Sequence, residues 1–161
     1  MPSIEDRLSM RGLVLPAPIR SPDRVELPFP FVQIQGTRVL ISGHGPLNAD
    51  GSIAMPLGKV GRDLTIEQGY RAAEQTALTI LGSLKRALGD LDRIKAWSRV
   101  FGMVNSAPGF HQQPAVINGF SQLILDLFGP QRGSHVRSAV GMAELPFNIP
   151  VEIEGEVLLF E

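Results

Sequence analysis

The strongest helical pattern in the chain runs from Thr65 to Gly89. Thr65 and Gln68 have the spacing of a capping box, and Gly89 stands where a C-terminal cap is expected. Between them, apolar residues recur at helical intervals of three and four. These residues are Ile66, Tyr70, Ala73, Ala77, Ile80, Leu81, Leu84 and Leu88. The pattern predicts a long helix with one buried face.

A second apolar stripe predicts another helix, from about Pro114 to Phe128. Gly129-Pro130 follows and should end it, because proline cannot continue a helical hydrogen-bond pattern. Residues Ser3 to Leu13 show a shorter amphipathic pattern at the N-terminus. The stripe of the second helix comprises Ile117, Phe120, Ile124, Leu127 and Phe128.

Shorter segments have the alternation or the flanking turns of β-strands. Phe31 to Gln35 and Arg38 to Ser42 are separated by Gly36-Thr37, which suits a hairpin turn. Three further strands are predicted over Ile94 to Val104, Val136 to Glu144 and Val151 to Phe160. In the last one, Val151, Ile153, Val157 and Leu159 alternate with Glu152, Glu154 and Glu156, which is typical of a half-buried strand.

The predicted order is β-β-α-β-α-β-β, which indicates an α+β fold: one mixed sheet with two helices on one face. The other face of such a sheet needs a cover, and self-association is a natural one. A length of 161 residues favours a single domain. We assign residues 29–161 to it, and residues 1–28 to an N-terminal helix and an extended, proline-rich lead-in.

Composition narrows the classes of function. Hydrophobic residues make up 43% of the chain, enough for a core, and the formal net charge is -1. That balance lacks the basic face of a nucleic-acid-binding protein. The chain has no cysteine, which excludes thiolate nucleophiles and disulfides. No signal peptide or membrane-spanning run is apparent, so we expect a cytoplasmic protein without nucleic-acid or membrane partners.

Three segments near the C-terminus form a recognisable signature. They are Arg137-Ser138-Ala139-Val140, Glu144-Leu145-Pro146 and Val151-Glu152-Ile153-Glu154. Together with Ile41-Ser42-Gly43 and Pro30-Phe31-Val32-Gln33, they resemble the Rid (reactive intermediate deaminase) family, also known as YjgF-like or endoribonuclease L-PSP proteins. The agreement in order and spacing extends from about Phe29 to Leu159. The segments Ile117-Asn118-Gly119-Phe120 and His135-Val136-Arg137-Ser138-Ala139-Val140-Gly141 resemble a longer, less-studied branch of the family.

The resemblance implies a chorismate-mutase-like fold and a homotrimer. Its sheets would line a central barrel, with three clefts between subunits. It also implies an enamine/imine deaminase, a hydrolase that converts 2-imino or 2-enamino acids such as 2-aminoacrylate to 2-oxo acids and ammonia. The implied ligand is a small carboxylate-bearing metabolite. Neither a metal nor an organic cofactor is expected.

Three residues are the candidate catalytic groups. Arg137 has the planar, permanently charged guanidinium that binds a carboxylate bidentately. The resemblance implies that Glu152 places water and moves protons, and that the Gly43 carbonyl holds the water. Burial would raise the pKa of Glu152 and Arg137 would lower it, so the sequence leaves the net direction open.

Asn118, Ser42, Ala139 and Phe31 complete the candidate substrate-binding set. Asn118 can hydrogen-bond near the site, while Ser42 and the Ala139 amide would complete the carboxylate pocket. Two positions depart from the family pattern. Phe31 replaces its tyrosine and lacks the hydroxyl, and Ala139 stands where cysteine or threonine is common. These losses motivate an alternative: a non-catalytic trimer that binds carboxylate metabolites and regulates a partner.

Other readings of the same residues carry less weight. By residue type alone, Arg137 and Glu152 would be ordinary surface or interface charges, and Asn118 a helix-start residue. His44, His111 and His135 lack metal-ligand spacing, and structural roles are expected for them. A ribonuclease, the activity attached by name to parts of the family, is disfavoured by the near-neutral charge.

Overall fold

A single five-stranded sheet forms the centre of the computed structural model, which describes residues 1–161. Its strands are β1 (Val32–Gln35), β2 (Arg38–His44), β3 (Ile94–Asn105), β4 (Val136–Met142) and β5 (Val151–Leu159). They lie in the order β1-β2-β5-β3-β4. Only β3 and β4 are parallel, and the other pairs are antiparallel. The predicted mixed sheet and element order are confirmed.

Two long helices, α2 (Ile66–Leu88) and α3 (Gln113–Gly133), cover one face of the sheet, and a short helix α1 (Ile4–Met10) precedes them. Thr65 and Gln68 form the predicted capping box of α2, and Gly89 ends the helix in the left-handed region at φ 79°. Helical geometry in α3 breaks at Gly129 (φ 74°), where the helix was predicted to end, but a further turn follows. Pro130 starts this turn without cost, because a first turn needs no proline N–H.

The core lies between this sheet face and the helices. Ile117 of α3 packs directly over Gly102 of β3, where a Cβ would come within 2.7 Å of the isoleucine side chain. Trp97, the single tryptophan, is 3% exposed and meets Phe120 and Phe128 edge-on, at ring separations of 5.5 and 6.0 Å. Its indole N–H has no hydrogen-bond partner.

The opposite face of the sheet is open. Val136 and Val140 of β4, which lie on this face, are exposed large hydrophobic side chains. The same face carries Glu152, Glu154 and Glu156 of β5 and Arg99 of β3, so it combines exposed valines with charged side chains. Exposed apolar side chains at a sheet edge are a common feature of surfaces that contact another chain.

The N-terminal segment is docked onto the domain from α1 to Arg20. Ile4 and Leu8 of α1 are buried, and a capping box at Ser3 starts the helix. The lead-in after α1 is extended, with one short turn at Pro22–Arg24. Its backbone is held by hydrogen bonds from Ala17 N to the Ala49 carbonyl (2.9 Å) and from Arg20 N to the Gly51 carbonyl (2.8 Å). None of the helices has the combined length and apolarity that crossing a bilayer demands.

Candidate functional site

Arg137 lies on β4, the edge strand, and points toward the first half of α3. Its Nη2 donates to the Asn118 Oδ1 (2.8 Å) and to the Pro114 carbonyl (3.2 Å), and its Nη1 donates to the Ser121 hydroxyl (3.0 Å). All three acceptors are neutral, and Arg137 forms no ion pair within the chain. We call Arg137, Asn118 and Ser121 the edge group. It fixes the direction of a cation and leaves its charge available to an anion.

His135 contacts the edge group through Ser121. Its Nδ1 is 2.7 Å from the Gly133 carbonyl, which can only accept, so the ring carries its proton on Nδ1. The Nε2 then accepts from the Ser121 hydroxyl at 2.9 Å, and the hydroxyl oxygen stays free to accept from Arg137. Burial lowers the pKa of His135, and Arg137 lowers it further. The neutral ring therefore matches the hydrogen-bond pattern at neutral pH.

Ala139 lies two residues beyond Arg137 on β4, hence on the same face of the strand. It is half-buried and packs against the hydrophobic core. Asn118 is exposed on α3, and its oxygen is occupied by Arg137, which leaves its NH₂ group free to donate. The sequence thus predicted three residues that share this edge: Arg137, Asn118 and Ala139.

Most of the remaining candidate residues line a cavity of about 530 Å³ at the opposite side of the molecule. It is enclosed by the end of β2, the start of β5, α2 and the lead-in. Phe31, Gly43 and Glu152 line it, and we call them the cavity group. Ser42 is not part of the wall, since its hydroxyl donates to the Pro30 carbonyl at 2.8 Å.

Gly43 and Glu152 are in close contact. A Cβ built on Gly43 would lie 2.3 Å from Glu152 Oε1, so no larger residue fits without moving the carboxyl group. Glu152 is half-buried and makes no hydrogen bond within the chain. Burial raises the pKa of Glu152, and the nearby Glu154 raises it further. Within one chain, the net shift of the Glu152 pKa is therefore upward, and Arg137, which lies two strands away, does not lower it.

His44, for which the sequence predicted a structural role, also lines the cavity. It is 4% exposed, its Nδ1 lies 2.6 Å from the Ser42 carbonyl, and its Nε2 lies 2.9 Å from the Ser83 hydroxyl. Phe31 packs against the ring at a centroid distance of 5.0 Å. Burial lowers the pKa of His44 to about 4, so the ring is neutral at physiological pH. Its contact with Ser83 joins β2 to α2, and no local pattern shows that pairing.

The edge group and the cavity group do not meet within one chain. Arg137 is level with Val100 of β3, which is level with Gly155 of β5. Glu152 is three residues from Gly155 along the strand. Because successive side chains alternate between faces, an offset of three places Glu152 on the opposite face from Arg137, two strands away. A site that uses both must therefore be completed by a second copy of the chain.

A cluster of acidic side chains lies outside both groups. Glu5, Asp90 and Asp92 place carboxylate oxygens within 4.8 Å of one another. Two of them are engaged by cations, Glu5 by Lys85 at 2.7 Å and Asp92 by Arg132 at 3.1 Å. The cluster thus anchors α1 to the turn after α2, and two of its three charges are already matched by protein cations.

Comparison with known proteins gives consistent matches. Residues 5–153 match a family described as "YjgF/chorismate mutase-like, putative endoribonuclease". Protein TCP17 of Trypanosoma cruzi is 42% identical over 124 residues, which are 77% of this chain and 76% of that protein. A protein of unknown function from Agrobacterium tumefaciens is 41% identical, with a TM-score of 0.86, over 99% of this chain and 94% of its own. A putative endoribonuclease from Shewanella oneidensis is 29% identical, with a TM-score of 0.86, over 98% and 100%.

Proposed function

Because the chain belongs to the YjgF/chorismate mutase-like family, we propose that it is an enamine/imine deaminase. It hydrolyses reactive 2-imino acids to 2-oxo acids and ammonia. The observation that carries the proposal is the edge group: a guanidinium oriented by neutral acceptors, with no carboxylate of its own. Such a cation suits a ligand carboxylate, since its charge is unmatched within the chain and charge-assisted hydrogen bonds are stronger than neutral ones.

The active particle in this proposal is a homotrimer, with each site made by two chains. One chain contributes Arg137 and Asn118, and its neighbour contributes Gly43 and Glu152. The separation of the two groups on opposite faces of one sheet supports this arrangement, as does the apolar surface at Val136 and Val140. Docking the carboxylate on Arg137 places the imine carbon beside Glu152 and lowers the entropic barrier.

The chemical step is the addition of water to the C=N bond. Glu152 takes a proton from water as the C–O bond forms and passes it to the imine nitrogen, which gives a carbinolamine. It then relays the proton of the carbinol hydroxyl to the nitrogen as the C–N bond breaks and the C=O bond forms. The balance is R–C(=NH)–COO⁻ + H₂O → R–C(=O)–COO⁻ + NH₃. A carboxyl group whose pKa burial has raised is suited to both transfers, because it holds and releases a proton nearer neutral pH.

The test generates imino acids from several amino acids with an amino-acid oxidase and follows their decay. Wild-type protein should accelerate the decay, and Arg137→Ala should reduce that acceleration by about 100-fold or more, because the substrate carboxylate loses its cationic partner. Arg71→Ala is the control, since Arg71 is an exposed cation on α2, paired with Glu67. Equal decay with wild type and Arg137→Ala for every amino acid would refute the deaminase.

One observation favours a second candidate, a non-catalytic binder of carboxylate metabolites. Phe31 in the cavity wall brings no hydroxyl to the site, and Ala139 brings no polar side-chain atom. Thermal-shift screening with 2-oxo acids separates the candidates. Stabilisation by a 2-oxo acid that requires Arg137, without any acceleration of imine decay, would support binding alone.

A further inference from the structure

The cavity extends well beyond the groups that the proposed chemistry uses. Gly43 and Glu152 occupy one part of its wall, and the rest is predominantly apolar. The lead-in, β1, the loop after β2 and the segment before β5 all contribute hydrocarbon surface. The apolar residues include Ile19, Leu27, Phe31, Leu47, Ile53 and Ile149.

The buried polar side chains of this wall are already paired with protein groups. His44 uses both ring nitrogens, on the Ser42 carbonyl and the Ser83 hydroxyl. The Thr79 hydroxyl donates to the Gln75 carbonyl at 3.0 Å. Glu152 is the ionisable wall residue without a hydrogen bond in the chain. Arg86 also lines the cavity and forms no ion pair within the chain. A ligand would therefore present its polar atoms near Glu152 or Arg86 and hydrocarbon to the remainder, since burying unmatched polar atoms is unfavourable.

The outer wall is fixed in place by the lead-in. Pro18 and Ile19 lie between the two backbone hydrogen bonds that tie Ala17 and Arg20 to the loop after β2. Gly51 allows the close approach, because a Cβ there would lie 2.1 Å from the Pro18 carbonyl oxygen. From α2, Arg86 adds a hydrogen bond to the Pro16 carbonyl at 2.9 Å. The cavity is therefore formed before any ligand arrives.

We propose that this cavity receives the substrate side chain, and that the protein prefers imino acids with branched or aromatic hydrocarbon side chains. This inference rests on the proposed deaminase function. A cavity of about 530 Å³ is in the range of sites for whole small molecules. The side chain of 2-aminoacrylate, a single methylene, would leave most of the apolar wall without contact. A leucine- or phenylalanine-derived side chain would cover it.

The experiment compares kcat/KM for imino acids made from leucine, phenylalanine and alanine. Leucine and phenylalanine derivatives should exceed the alanine derivative by about 10-fold or more, the usual gain for several buried carbons. Ala87→Phe narrows the cavity, because Ala87 lines it from α2. It should lower the two large-substrate values about 10-fold and leave the alanine value within about twofold.

Glu67→Phe is the matched control, since it places the same ring on an exposed part of α2 away from the cavity. It should leave all three values unchanged. Equal or better turnover of the alanine derivative by wild type would overturn the side-chain preference while the deaminase stands. Loss of all three activities in Ala87→Phe, with a normal thermal midpoint, would also overturn it. Absence of turnover with every substrate would overturn both proposals.

Discussion

The edge group and the cavity group contrast in what one chain supplies. The cavity group lies in a walled space, with His44 4% exposed and its polar neighbours paired inside the chain. The edge group stands on the rim of the sheet, where Asn118 is exposed and Arg137 has a direction but no counter-charge. The cavity group offers an apolar volume, and the edge group offers an oriented positive charge. The contrast teaches that the apolar cavity and the oriented cation lie in different parts of this fold, so a site that uses both requires a second chain, as in the proposed trimer.

The largest expected effect comes from mixing two inactive variants. Arg137→Ala and Glu152→Gln should each be inactive alone, because each lacks one half of every site. In statistically mixed trimers, about one quarter of the sites would combine an intact Arg137 from one chain with an intact Glu152 from its neighbour. Co-expression followed by an imine-decay assay should recover about a quarter of wild-type activity.

If verified mixed oligomers recovered no activity, the two groups would not combine across chains, and the division of the site between neighbouring chains would be wrong. Two preparations mixed without subunit exchange serve as the control and should stay inactive.

Gly43→Ala probes the cavity group alone. The added Cβ would overlap Glu152 Oε1, so the carboxyl group must move away from its present position. Activity should fall by about 10-fold or more, because small displacements of a proton-transfer group are costly. Binding of a 2-oxo acid, measured by calorimetry, should weaken less than activity, since Arg137 is untouched. Equal loss of both would indicate that the change disturbs the edge group as well.

Phe31→Tyr tests how far the missing hydroxyl limits the site. Phe31 lines the cavity and packs on His44, so a hydroxyl at the ring tip adds one polar contact without removing packing. If that hydroxyl reaches a polar ligand atom, activity should rise by about 2- to 10-fold. Steady-state kinetics on the alanine and leucine derivatives would measure it. A decrease would show that the cavity excludes polar groups even at Phe31.

The smallest expected effect is on stability. Burial disfavours the charged form of Glu152 in the folded chain, so its folded pKa exceeds its unfolded pKa. The ionised group therefore costs stability as pH rises above the unfolded pKa. Glu152→Gln should raise the thermal midpoint at pH 7 by a few degrees at most, and the gain should vanish near pH 4. A lower midpoint at pH 7 would mean that the carboxylate is paired in the assembly, for instance with Arg137 of a neighbour.

The sequence was a good guide to elements whose causes are local. The capping residues Thr65 and Gly89 bound α2 as predicted, and the Gly36-Thr37 turn joins β1 to β2. Strand order was harder, because β5 pairs between β2 and β3, which are far away in the chain. The β2 strand also extends to His44 through an irregularity after Ile41, beyond the predicted end at Ser42.

The positions of the candidate site residues relative to one another could not be predicted from the sequence. Motif resemblance indicated Arg137, Glu152 and Gly43, but the alternation of faces separates the first from the other two. The pairing of His44 with Ser83 was missed, because it depends on where α2 lies against β2. Contacts of this kind arise from tertiary packing, and no spacing within either segment encodes them.

Trp97 gives the molecule a built-in optical reporter. As the sole indole, it is shielded between the sheet and the two phenylalanines of α3. Its emission should be blue while α3 is docked and shift to the red when water enters. Because α3 also carries Asn118 and Ser121, which orient the Arg137 guanidinium, the Trp97 emission also reports whether this helix is packed on the sheet. Fluorescence can therefore distinguish a variant that has lost chemistry from one whose α3 has come away from the sheet.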